Sequence, residues 1–295
     1  MQPVLLCADV GGTQIKTGLL TRDGRLAGAV TKTAARATLP RTALLDHMAA
    51  CLLAAVPPGG VEGVRLAMPG PFNYRRGICL IRGLDKYGAL YGTDLRAELG
   101  RRLAPRLGQP ARDIRFANDV AAFALGELHF GSGQGSRRGV FVCIGTGCGS
   151  AFTLGEGLAP AGTPGVPENG YLYPLPLQGR RVDDWLSRRG LEELSCQALG
   201  KPMDGLALAH RAAAGDPGAQ AVWQRFGSLL AEALTPVLDA YAPDLCCLGG
   251  QVTASSRLFL APLAEACRCR NIRLACTRDT SLRAMQGLLA LTPHP

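Results

Sequence analysis

A short apolar run that stops on a pair of glycines and resumes as a second run constrains this chain more than any other feature. Val4-Leu5-Leu6-Cys7-Ala8-Asp9-Val10 leads into Gly11-Gly12. Ile15-Lys16-Thr17-Gly18-Leu19-Leu20 follows, and Asp23-Gly24 is a hairpin signal. The plan recurs about 135 residues later. There Gly139-Val140-Phe141-Val142-Cys143-Ile144 runs into Gly145-Thr146-Gly147-Cys148-Gly149-Ser150, and Ala151-Phe152-Thr153-Leu154 is its partner before the turn Gly155-Glu156-Gly157. Two copies of one strand–glycine–strand unit predict a duplicated α/β fold with a cleft between its halves.

The remaining pattern fills in both halves. A third strand is expected near 26–33, a helix at 41–56, and a strand at 61–68 that stops at Pro69-Gly70-Pro71. Leu95, Leu99 and Leu103 set a helix at 93–107. Ile114-Arg115-Phe116 is a short strand, and a helix opening on an acid spans 119–129. Residues 158–181 are rich in Pro and Gly and read as irregular. Helices are expected at 182–199, 204–214, 217–241, 256–270 and 281–291, with a strand from Asp244 to Leu248 running into Gly249-Gly250. This divides the chain into an N-terminal lobe, 1–117, and a C-terminal lobe, 118–280. The closing helix, about 281–292, is expected to pack back on the first.

Composition excludes several classes. With 295 residues, 47% of them hydrophobic and 19% charged, the chain can bury a large core. No apolar run reaches the roughly 18–20 residues of a membrane span, so no membrane partner is expected. The first residues lack a basic n-region and a small-residue cleavage site, and eleven cysteines are an odd number; both predict reduced thiols in the cytoplasm. No C-x₂-C pair exists, and Cys246, Cys247, Cys267, Cys269 and Cys276 have no His nearby in sequence, so they read as small buried hydrophobes. The net charge is +9, yet 28 of the 32 cations are Arg and only 4 are Lys. The Arg pairs are scattered without interleaved aromatics, which argues against a nucleic-acid surface. A positive balance still favours an anionic ligand such as a nucleotide.

Glycines after a strand let the main chain approach a phosphate and present N–H donors to it. Two such turns at related places, with Gly249-Gly250 after a third strand, point to a phosphate-bearing ligand. Asp9 adds to this: a carboxylate at the end of a buried strand needs a partner, and a metal-bound phosphate would supply one. The plainer reading of Asp9 is a capped turn. No G-x-x-x-x-G-K-[ST] is present, and no G-x-G-x-x-G opens a helix after the first strand.

Five segments in order carry a resemblance. Asp9-Val10-Gly11-Gly12-Thr13-Gln14-Ile15-Lys16 resembles the first phosphate motif of the ROK family (repressor, open reading frame, kinase), within the actin-like sugar kinase/Hsp70 superfamily. Met68-Pro69-Gly70-Pro71 resembles its sugar-side loop, and Ala117-Asn118-Asp119-Val120-Ala121-Ala122 its catalytic stretch. Ile144-Gly145-Thr146-Gly147-Cys148-Gly149 resembles the second phosphate motif, and Leu248-Gly249-Gly250 the adenosine motif. The resemblance implies a duplicated actin-like (ribonuclease H-like) two-lobe α/β fold with a central cleft. It also implies an ATP-dependent kinase, glucokinase-like, acting on a hydroxyl of a hexose or hexose derivative.

In that frame Asp119 is the general base, although an acid at a helix start also reads as a cap. Gly11, Gly12, Thr13, Gly145, Thr146 and Gly147 take the phosphates, and Gly249 and Gly250 the adenosine. Lys16 either reaches a phosphate or faces solvent. Asp9 anchors Mg²⁺, through water. Gly70, Asn118, Asp119, Glu168, Tyr171 and Asp183 form the sugar side, with an exposed helix-start acid as the plainer reading of Asp183.

Three departures from the family pattern stand out. Tyr171 replaces a sugar-binding and zinc-ligating His. Residues 174–181 contain no Cys where the family has a C-x-C-G-x-x-G-C element, so no structural zinc is expected. In Ile81-Arg82-Gly83-Leu84, Gly83 stands where relatives often have Asn, leaving Arg82, Lys86 or Tyr87 to replace its contact. A site with contacts removed suits a bulkier sugar, such as a glycoside or an N-acetyl derivative. Repressors of the family carry a helix-turn-helix ahead of the sugar lobe; a first strand at about residue 4 leaves no room for one, so a regulator is not expected. A non-catalytic sugar or nucleotide sensor of the same fold is the alternative. Relatives are commonly dimers, so a homodimer is the assembly the resemblance implies.

Overall fold

The computed structural model describes residues 3–83 and 86–291, with the backbone alone at Pro110. Leu84 of the sugar-side segment and Thr292 of the expected closing helix lie outside the described residues. In chain order the strands are β1 Val4–Val10, β2 Gln14–Thr21, β3 Thr31–Ala34, β4 Val64–Met68, β5 Phe72–Asn73, β6 Ile78–Cys79, β7 Ile114–Asn118, β8 Arg138–Ile144, β9 Cys148–Leu154, β10 Gly157–Leu158, β11 Pro176–Leu177, β12 Arg180–Arg181, β13 Leu245–Gly249 and β14 Arg273–Cys276. The α-helices are α1 Arg41–Ala54, α2 Leu95–Leu107, α3 Asp119–Phe130, α4 Val182–Trp185, α5 Arg188–Leu199, α6 Gly205–Ala213, α7 Pro217–Tyr241, α8 Ala261–Arg268 and α9 Thr280–Gly287.

The duplication is written into the sheets. One has the order β3-β2-β1-β4-β7 and the other β10-β9-β8-β13-β14. In each, the first three strands of the half form an antiparallel meander, and two more strands add in parallel beside its first strand. The glycine turn is therefore the first hairpin of each sheet, and the carboxyl ends of all three parallel strands lie on one edge. That is where ligands bind in open α/β sheets.

Two compact units result: residues 1–130 with 281–295, and residues 131–280. The boundary falls at 130/131 rather than the expected 117/118, because α3 packs with the first unit. Packing density explains this grouping. A Cβ at Gly126 of α3 would lie 1.7 Å from the Arg283 carbonyl, and one at Gly287 would lie 1.8 Å from the Ala122 carbonyl. Only glycines let α3 and α9 approach that closely. Gln286 Nε2 donates to the Gly24 carbonyl at 2.9 Å, and Arg115 Nη1 to the Leu291 carbonyl at 2.8 Å, which tie the end of the chain to the first sheet.

Each unit has its own core. In the first, Leu6, Val10 and Leu66 of the sheet pack with Leu44 and Met48 of α1 and Leu99 and Leu103 of α2. In the second, Val140 and Phe152 pack under Trp223, Phe226 and Leu230 of α7, with Trp223 stacked on Phe259 at 5.6 Å. Each such buried side chain contributes about 1.5–3 kcal/mol.

Three expectations change in detail. The helix expected over 182–199 breaks, because Ser187 caps α5 by accepting from Gly190 N. The helix expected over 256–270 is a 3₁₀ segment, Gln251–Leu258, followed by α8, since Pro262 sits in the first turn of a new helix. Strand β14 was not expected, its alternation of Ile272, Leu274 and Cys276 being brief. It forms because β13 offers it a parallel edge, Leu245 to Leu248 against Arg273 to Cys276.

Candidate functional site

In the first unit the sheet edge gathers the chemistry. Parallel pairing puts Asp9 level with Ala67, Ala67 level with Ala117, and Met68 level with Asn118. The ends of β1, β4 and β7 therefore deliver Asp9, the Met68–Pro71 loop and Asn118-Asp119 to one edge. Across the hairpin, Lys16 of β2 pairs with Asp9. Its ammonium donates to Ser281 Oγ at 2.5 Å.

Asn118 and Asp119 divide the labour at the start of α3. Asn118 Oδ1 accepts from both Val120 N and Ala121 N at 3.0 Å, so Asn118 caps the helix. Asp119 Oδ1 accepts from Val120 N. Capping by the neighbour leaves the Asp119 carboxylate with open acceptor capacity. Asn118 Nδ2 donates to Tyr74 Oη at 3.1 Å, and that hydroxyl donates to the Met68 carbonyl at 3.2 Å. A Cβ at Gly70 would lie 3.3 Å from Tyr74 Oη, so Gly70, Tyr74 and Asn118 form one cluster. Tyr74 went unnoticed in the sequence, where nothing sets it apart from other loop aromatics.

Asp119 keeps some contact with solvent, but the protein packed around its carboxyl desolvates it. That burial, with the negative charge of Asp9 as the second cause, pushes its titration up to about 6; Lys86 pulls the other way. A carboxylate tuned close to neutrality can receive a proton and still be ionised at working pH.

The first glycine turn is closed by Gly11 N donating to the Gln14 carbonyl at 2.9 Å. Tyr87, fully buried, donates from Oη to the Gly11 carbonyl at 2.8 Å. Lys86 runs across the other glycine: a Cβ at Gly12 would sit 2.9 Å from Lys86 Cδ. Thr13 is exposed beside them, and its carbonyl accepts from Ala35 N.

The second unit repeats the device with different supports. Gly145 N donates to the Gly147 carbonyl at 2.9 Å, closing the second turn with Thr146 exposed at its tip. Asp183 Oδ1 accepts from Cys148 N at 2.8 Å, and its Oδ2 takes Arg189 Nη2 at 3.1 Å. A Cβ at Gly147 would lie 2.8 Å from Asp183 Oδ1. Asp183 thus braces the second glycine turn with both oxygens engaged, a contact its place in the sequence did not reveal.

Gly249 ends β13 level with Cys143 of β8. Gly250 has φ +91, and a Cβ there would lie 2.1 Å from the Ile144 carbonyl. Its N–H donates to Thr280 Oγ1 at 2.8 Å. Glu168 and Tyr171 are exposed. Their segment is tied to β9 through Ser150 Oγ, which donates to the Gly170 carbonyl and accepts from Leu172 N. Tyr171 lies 5.3 Å from Tyr173, ring to ring.

Residues 174–185 have their own lock. Arg180 makes two hydrogen bonds to Glu193 and stacks 4.6 Å over Trp185, whose Nε1 donates to the Leu177 carbonyl. No helix among the described residues is long and apolar enough to cross a membrane.

The chain is similar to known proteins over most of its length. The glucokinase of Thermotoga maritima is 26% identical over 286 residues, covering 88% of this chain and 86% of its own. The N-acetyl-D-glucosamine kinase of Photobacterium profundum is 26% identical over 281 residues, 85% of each. Among solved structures, a ROK family glucokinase from Streptomyces griseus in complex with glucose and AMPPNP shares the fold, with a TM-score of 0.77, 20% identity, and coverage of 97% of this chain and 98% of that one. The ROK family pattern itself matches residues 5–286, a span that holds both glycine turns, the Asn118-Asp119 pair and Gly249-Gly250, and the chain belongs to the ROK family.

Proposed function

We propose that the protein is an ATP-dependent kinase that moves the γ-phosphoryl group to a hydroxyl of a hexose or hexose derivative, with Asp119 as general base. The observation that carries this reading is the placement of Asp119, a carboxylate at the edge of the first sheet whose helix-capping task is taken by Asn118. Kinase activity named for the Thermotoga and Photobacterium relatives supports it.

In the reaction the sugar hydroxyl oxygen forms a bond to the γ-phosphorus and its proton passes to Asp119. The bond from that phosphorus to the bridging oxygen breaks, and ADP leaves with the electron pair. The main-chain donors of Gly11, Gly12 and Thr13, and of Gly145, Thr146 and Gly147, hold phosphate oxygens, and Gly249 and Gly250 pass close to the adenosine. Lys16, bonded to Ser281, faces Asp9 from the neighbouring strand. Asp9 would hold Mg²⁺ through water. Mg²⁺ commonly takes one or two carboxylates, with water and phosphate filling its other positions. When bound it neutralises charge on the phosphates.

Gly70, Asn118, Glu168 and Tyr171 are the proposed sugar side; Asp183, expected there, has its oxygens on Cys148 N and Arg189 and supports the second glycine turn. Gly83 and Tyr171 stand where a plain hexose would meet Asn and His, and this favours a bulkier sugar, a glycoside or an N-acetyl derivative. A coupled ADP-release screen over sugars and glycosides tests the proposal. Asp119→Ala is expected to lose phosphorylation and keep nucleotide binding. Sugar and nucleotide binding with no turnover on any compound would instead identify a sensor.

A further inference from the structure

Lysine is scarce in this chain: Lys16, Lys32, Lys86 and Lys201 stand against 28 arginines. A residue type so rarely used is informative where it meets the chemistry, because a compact ammonium and a broad guanidinium fork are not interchangeable. Two of the four lysines reach the edge of the first sheet. Lys16 is already engaged by Ser281 Oγ. Lys86 is not: among the described residues its ammonium has no hydrogen bond and no ion pair, although the side chain is half-buried.

We propose that Lys86 is a catalytic residue of the kinase reaction, its ammonium contacting the transferring phosphoryl group over the Gly11-Gly12 turn. The inference rests on the kinase reading above. Its geometry comes from three contacts. The aliphatic stem lies on Gly12, close enough that a Cβ there would meet Cδ at 2.9 Å and Nζ at 3.8 Å. The adjacent Tyr87 is locked in place by its hydroxyl on the Gly11 carbonyl and by its N–H on the Ala37 carbonyl, both at 2.8 Å. The charge is felt at Asp119, where it opposes the effect of Asp9. The stem therefore lies on the turn, and the head stands beside Gly12, within electrostatic reach of Asp119.

An unpaired, half-buried ammonium is a poor way to stabilise a fold and a good way to meet an anion. As the bond to the bridging oxygen breaks and the bond to the sugar oxygen forms, negative charge rests on the phosphoryl oxygens. A fixed cation there lowers the barrier without taking part in proton transfer, which belongs to Asp119.

The test uses the full chain with Lys86→Gln and Lys86→Arg. Titration with AMPPNP and with ADP is expected to show tighter binding of the triphosphate by the wild type, and a ratio that collapses to within about threefold in K86Q. Turnover is expected to fall about 100-fold in K86Q, with KM for the sugar within about threefold, and to recover partly in K86R. Unchanged thermal unfolding excludes a folding defect. A wild-type AMPPNP-to-ADP ratio in K86Q, or a kcat within threefold of wild type, overturns the assignment. If no sugar is phosphorylated by the wild type, the kinase reading fails by itself, and the binding ratio still decides whether Lys86 touches the terminal phosphate.

Discussion

The Tyr87 hydroxyl donates to the Gly11 carbonyl across 76 residues of sequence, at 2.8 Å and out of reach of solvent. A buried phenol whose ionisation is pushed far up by burial and by Asp9 stays a neutral donor at any working pH. It holds the glycine turn in one conformation before any ligand arrives. Tyr87→Phe keeps the ring and strands the carbonyl. It is expected to cost about 1–2 kcal/mol in denaturant unfolding and to weaken ATP binding several-fold. Unchanged values in both would reduce the phenol to filling space.

Asp119 makes activity and stability respond to pH in opposite senses. With Asp119 as the proposed base, activity needs the ionised form, so kcat/KM is expected to fall about tenfold per unit below pH 6. The folded-state value lies above the unfolded 3.8. The protonated carboxyl is thus favoured by the fold, and stability declines as pH rises through that window. Asp119→Asn is expected to be inactive. It should be more stable than wild type at pH 8 by up to about 3 kcal/mol, and equal to it near pH 3. A pH-rate profile and chemical unfolding at both pH values check this; an Asn variant less stable at pH 8 would refute the desolvation.

Gly250→Ala is expected to unfold the second unit or destabilise it by about 3 kcal/mol or more. The new Cβ would meet the Ile144 carbonyl at 2.1 Å from a backbone at φ +91. Gly145→Ala, where a Cβ meets nothing within 4 Å, is expected to stay folded and to lose nucleotide affinity. Calorimetry on the pair separates glycine kept for packing from glycine kept for phosphate. Equal loss of stability in both would erase that distinction.

Dialysis against a strong zinc chelator is expected to leave Tm unchanged. Residues 174–185 are held by Arg180 on Glu193 and Trp185, and by Trp185 Nε1 on the Leu177 carbonyl. A drop in Tm with one zinc per chain released would overturn the reading of this segment.

Much of this protein was legible in one dimension. Alternation and glycine turns located β1, β2, β8 and β9, since a hairpin is a local structure whose partners lie a few residues apart. The same locality exposed Asp9, Asn118 and Asp119 as acids and amides at strand ends. Helix α7 emerged with its true bounds because Asp216 caps it and Pro217 suits its first turn.

Other features depend on residues far apart in the chain. The alternation of Ile272, Leu274 and Cys276 is too short to settle a strand by itself; pairing with the edge of β13 makes Arg273–Cys276 one. Asp119 read as a possible cap of α3, and the packed geometry gave that task to Asn118, with Asp119 Oδ1 accepting from Val120 N. Asp183 as a brace for Gly147, Tyr87 as the anchor of Gly11, and Lys86 over Gly12 join segments 36, 76 and 74 residues apart. The sequence alone determined which backbone turns exist, because glycine and strand pattern act within a few residues. Tertiary structure decided which side chains support those turns and how Asp119 titrates, because desolvation and electrostatic coupling are set by neighbours in space.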